Sequence, residues 1–156
     1  MSWRLLMIAL VACGGEGATV EGSVGGSSLQ LAASWWGGPF ISLVDQPYEC
    51  LDMAWVNRYY EEEEPPLDED MVALQFTFTG DDVVDGLYDV AGEAALTSRF
   101  LVIQDGVFTI AKARSGQLII DEITSKDELI GTFDVAFDAG QLTGTLSTDW
   151  CTNLKG

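Results

Sequence analysis

Short runs of Val, Ile, Leu, Phe and Thr, cut by turn residues at close intervals, leave this chain little choice but strands. Seventeen glycines supply many of the breaks. The clearest unit is a hairpin in which residues 100–104 and 107–111 flank Asp105-Gly106. That dipeptide accommodates the positive φ angles of a two-residue type I′ turn, whose twist suits the flanking strands. A second hairpin joins residues 129–138 to 141–150. In its first arm Phe133, Val135 and Phe137 alternate with Thr132, Asp134 and Ala136, one apolar face against one mixed face. Residues 71–79 alternate as well, with Val72, Leu74, Phe76 and Phe78 facing one way. Further strands are expected over 19–24, 29–36, 40–45, 87–90 and 117–123. About nine strands at this spacing predict an all-β domain, an antiparallel sandwich or a barrel. A single short helix is expected between Tyr48 and Tyr59, where Leu51, Trp55 and Tyr59 recur every fourth residue. Pro47 opens it, and an acidic run with Pro65-Pro66 ends it.

The N-terminus speaks to location. Met1 to Arg4 form a small basic segment, and Leu5 to Ala12 an apolar run too short to span a bilayer. Leu10-Val11-Ala12-Cys13 resembles a bacterial lipobox. On that resemblance residues 1–12 are a signal peptide, Cys13 is acylated (palmitate among its chains), residues 13–17 are a tether, and 18–156 form the domain. Gly14 rather than Asp after the cysteine favours the outer membrane by resemblance to the enterobacterial sorting rule. A tether of roughly five residues reaches only about 17 Å, at about 3.4 Å per extended residue.

With Cys13 lipidated, Cys50 and Cys151 remain as an even pair in an oxidising compartment. A structural disulfide is expected, and two buried free thiols are the alternative. The bond would close a loop of about 100 residues, worth up to about 4.7 kcal/mol in the chain-entropy treatment. The absence of CxxC and of any histidine argues against a zinc site, Ser-His-Asp or Cys-His catalysis and an imidazole switch. Seven Lys and Arg face 25 Asp and Glu. So acidic a surface repels nucleic acid and favours cations and basic partners.

Several spaced motifs together resemble small secreted bacterial lipoproteins of the myxobacterial type. They are the lipobox, Gly22-Ser23-Val24-Gly25-Gly26, Leu43-Val44-Asp45 followed by Cys50, and Gly86-Leu87-Tyr88. Gly131-Thr132-Phe133, Gly144-Thr145-Leu146 and Cys151 complete the pattern. The resemblance implies a disulfide-linked β domain on a lipid anchor. It implies no activity.

Four features carry candidate chemistry. Glu61, Glu62, Glu63, Glu64, Asp68, Glu69 and Asp70 place seven acids within ten residues, a loop that would dock a basic surface, hold Ca²⁺ loosely or simply be solvated. Asp81, Asp82 and Asp85 partly resemble a Ca²⁺ loop, but Val83 stands where a second acid is needed and Gly92 where the bidentate glutamate belongs. An ordinary Asp/Gly turn explains the same residues. Trp35 and Trp36, next to Gly37-Gly38-Pro39, would suit stacking on sugar or the lipid interface, although adjacent strand residues face opposite sides and core packing accounts for one ring. Paired acids such as Asp121/Glu122 and Asp134/Asp138 are the carboxylates a glycosidase would need about 5 to 9 Å apart.

The expectation from these observations is a non-enzymatic, lipid-anchored envelope protein, a binding or structural module with an acidic face. Its expected partners are the membrane through the lipid and a basic protein surface or polysaccharide, with no nucleic acid and no resident cofactor. A carbohydrate- or Ca²⁺-binding module is the alternative class, and a carboxylate hydrolase the third.

Overall fold

A computed structural model describes residues 17–53, 69–80, 83–90 and 96–152. They form ten strands: β1 (Thr19–Val24), β2 (Ala33–Gly37), β3 (Phe40–Val44), β4 (Met71–Phe78), β5 (Gly86–Asp89), β6 (Leu96–Gln104), β7 (Val107–Lys112), β8 (Ser115–Ile123), β9 (Leu129–Phe137) and β10 (Gly140–Trp150). The neighbour order is β5-β8-β9-β10-β2-β3-β4-β6-β7, with β1 added beside β10. All pairings are antiparallel except that of β10 with β2. The all-β class holds, and the architecture is one curled sheet forming a half-barrel.

The curl originates in β10. Its first six residues, Gly140 to Thr145, pair with β1 on one edge, whereas Asp149 and Trp150 pair in parallel with Trp35 and Trp36 of β2. A strand that changes partner along its length must twist between them, and the sheet turns with it. The concave side is therefore lined from both flanks. Ile41, Leu43, Leu74 and Phe76 meet Leu118, Phe133, Val135 and Leu142 in one buried cluster. Aromatic edges lock the flanks together: the Phe76 and Phe133 centroids lie 5.4 Å apart, and those of Phe100 and Phe137 6.1 Å apart.

Both hairpins form. Gln104 pairs with Val107, and Asp105 and Gly106 take φ of 52° and 74°, the two positive angles of the type I′ turn. Phe133, Val135 and Phe137 of β9 are buried while Thr132 and Asp134 are exposed. The alternation in β4 likewise places Leu74, Phe76 and Phe78 in the concave core. The opposite side of β4 is covered too. Met71 and Ala73 join Ala33, Val44, Leu101, Ile103 and Met53 in a second cluster on the convex side.

The disulfide between Cys50 and Cys151 ties the chain after β10 to the turn that brings Met53 onto this cluster. Of the expected helix between Tyr48 and Tyr59, residues 54–59 lie outside the described residues. The described part is a turn that ends in one helical residue, Met53, with Met53 N–H donating to Cys50 O at 3.2 Å and Asp52 N–H to Glu49 O at 2.9 Å. Asp52 Oδ2 in turn accepts from Glu49 N–H at 2.9 Å, the back-bond of a capping box, which favours a helix start at this turn. No helix among the described residues is long and apolar enough to cross a membrane.

At one end the flanks are stitched together. Val90 N–H donates to Gly116 O, and Val90 also bridges to Leu96. Ala113 N–H donates to Ser98 O and Arg114 N–H to Ala136 O, so residues 113 and 114 carry the chain from β7 across to β8. The other end stays open.

Candidate ligand-binding cleft

The open end holds a cleft of about 500 Å³ between the concave side of the β6–β7 hairpin and the turns that follow β1 and β9. This size lies within the roughly 300–1,000 Å³ typical of small-molecule sites. Phe100 and Val102 of β6 form its floor, and Ala111 and Val107 of β7 one wall. Val24 and Ala139 face them from the other side. Val107 is 64% exposed, an unusual position for a β-branched residue, because no strand among the described residues covers that end of β7. Polar groups are few: the Thr109 and Ser27 hydroxyls, the Gln104 amide and the Asp105 carboxylate. Among the described residues the lining contains one acid and no cation. Such a site suits a largely apolar ligand that is neutral or basic, and disfavours an anion.

Asp70 holds the mouth of the cleft in place. Its Oδ1 accepts from Asp105 N–H at 2.9 Å, and its carbonyl accepts from Gln46 Nε2 at 3.1 Å. Thus the last acid of the acidic run anchors the β6–β7 turn. Glu69 accepts from the Tyr48 hydroxyl at 3.4 Å. The rest of that run, Glu61 to Glu64 and Asp68, lies outside the described residues, as do Cys13, Asp81 and Asp82. Asp85 is exposed just before β5.

The two tryptophans part company as strand geometry requires. Trp36 is buried in the concave core, donates Nε1–H to Asp127 O at 2.7 Å and packs edge-on against Trp150 at 4.5 Å. Trp35 lies half-buried on the convex side and donates to Tyr48 O at 3.0 Å. With Trp36 enclosed, the pair does not form a two-ring ledge for sugar, because successive side chains leave a strand on opposite faces.

The carboxylate pairs do not converge on the cleft. Asp134 Oδ1 accepts from Gln141 Nε2 at 2.6 Å, and Asp138 forms an ion pair with Arg114. Asp121 and Glu122 are exposed at a bulge in β8. No cluster of three metal-ligating acids or cysteines occurs among the described residues.

Sequence reasoning found the β6–β7 hairpin but not its use. The available signal was the alternation Val107, Thr109, Ala111, which faces Val102 and Phe100 across the hairpin; that it lines a cleft depends on β1 and the β9–β10 turn, far away in sequence. No protein-family model matches the chain, and neither a curated protein nor a solved structure matches it.

Proposed function

We propose that this protein is a non-enzymatic binding module of the bacterial cell envelope, held at the outer membrane by lipid on Cys13. It takes a neutral or basic, partly apolar ligand in the open end of its half-barrel. The observation that carries the reading is the cleft itself: a ligand-sized space with an apolar floor and, among the described residues, one carboxylate and no cation. A glycosidase of the two-carboxylate kind needs both acids in its cleft, and the described lining holds one. The acidic exterior supports the same ligand chemistry. Among the described residues a single ion pair, Arg114 with Asp138, engages a carboxylate, so the field around the cleft mouth attracts basic groups.

Full-length protein in neutral detergent is titrated with an uncharged dye that fluoresces in apolar surroundings. Saturable binding to the wild type, lost in Thr109→Trp, is expected, because the exposed Thr109 side chain can grow into the cleft without disturbing the core. Equal dye responses from the two proteins would overturn the cleft as the binding site. Labelling with a fatty acid, present in the wild type and absent in Cys13→Ser, tests the anchor separately.

A further inference from the structure

On the closed end of the same hairpin the charge pattern reverses. Arg99 of β6 and Lys112 of β7 stand directly opposite each other in the antiparallel register. Like charges facing across a ladder are unfavourable, and here the cost is avoidable, since the chain has 25 acidic residues to set against seven basic ones. Among the described residues, no carboxylate forms an ion pair with either cation. Both border a space of about 150 Å³ together with Thr97, Ser98, Val90 and Ala113. Arg99 Nε is buried there without a partner. Leaving such a group unsatisfied is costly unless something fills the space and accepts its hydrogen bond.

We infer that Arg99 and Lys112 form a binding site for a small free oxyanion, phosphate or carboxylate in chemistry. The guanidinium fork supplies directional donors and Lys112 a second positive charge. The site is distinct from the cleft, because Arg99 and Lys112 leave the hairpin on the face opposite to Phe100 and Ala111 of the cleft, and the cleft disfavours anions. The proposal does not depend on the cleft's ligand.

The test is calorimetric titration of full-length protein, in neutral detergent, with inorganic phosphate at ionic strength held constant with chloride. A strongly acidic protein gives non-specific anion binding no foothold, so saturable one-to-one binding is the expected result. Arg99→Gln should weaken it about tenfold or more, the loss of a charge-assisted hydrogen bond. Lys112→Gln should weaken it as well, yet leave the phosphate-free protein no less stable, because it removes the repulsion between the paired cations. Lys126→Gln, in an exposed turn elsewhere, should leave binding unchanged. No saturable phosphate binding by the wild type, or equal binding by Arg99→Gln, would overturn the proposal. So would a phosphate-free Lys112→Gln protein less stable than the wild type, since the cation pair would then be supporting the fold.

Discussion

Asp45 shows how much one carboxylate at the end of a strand can carry. Its Oδ1 accepts from Val72 N–H at 2.9 Å, joining the end of β3 to the start of β4. Burial pushes its carboxyl above the ordinary 3.8, and the neighbouring Asp70 charge adds to the push, while the hydrogen bond from Val72 opposes it. The folded protein therefore holds a proton here more readily than the unfolded chain does. Ionised Asp45 costs stability above its folded-state pKa, and that cost fades as pH falls through this pKa towards 3.8. Asp45→Asn keeps the acceptor and removes the charge. It should be at least as stable as the wild type near neutral pH, with the difference closing in acid below 3.8. Denaturant midpoints across that range decide it. A variant less stable at neutral pH by an amount that persists in acid would show that hydrogen-bond geometry, not charge, governs the site.

At the scale of elements, two glycines separate backbone strain from packing. Gly106 sits in the turn at φ 74°, and a Cβ added there would meet nothing within 4 Å. Gly106→Ala should therefore lose about 1–2 kcal/mol, from the left-handed conformation alone. Gly144 in β10 has an ordinary strand conformation, but a Cβ there would run into the Phe133 ring and the carbonyl of Thr19. Overpacking typically costs about 1–3 kcal/mol, and a collision with backbone as well as ring puts Gly144→Ala at or beyond the top of that range. Equilibrium unfolding of the two variants checks the order; a milder effect at Gly144 would mean that β1 and β10 separate more easily than their ladder suggests. The elements themselves were well marked in the sequence, because period-two alternation and turn chemistry are local. The departures have local causes too. Strand β6 begins at Leu96 rather than Phe100, since Thr97, Ser98 and Arg99 look like a polar approach until Thr77, Phe76 and Gln75 pair with them. Leu29 is buried in the core without belonging to β2: hydrophobicity marks burial, and a ladder needs a partner as well.

For the whole molecule the Cys50–Cys151 bond is the long-range tie, bridging a sequence separation of 101 residues. It holds the 50–53 turn against the convex side of the sheet, where Met53 completes the second cluster. Cys50→Ser should lower stability by about 2–5 kcal/mol, and it should loosen the convex cluster before the concave one. Hydrogen exchange in the oxidised wild type and the variant distinguishes the two sides. Protection lost first from the β9 and β10 amides would contradict this assignment. From the residues alone came the all-β class, the hairpin turns, the inward faces of β4 and β9, and the pairing of Cys50 with Cys151. Those features depend on side-chain alternation, on φ preferences and on counting. Only the tertiary structure decided that β10 serves both β1 and β2, that the sheet stops at a half-barrel and that its convex side is roofed. It alone placed Arg99 against Lys112 and the apolar side of β7 beside an open cleft. The physical reason is that alternation tells a strand which way its side chains face and says nothing about which distant strand will lie beside it.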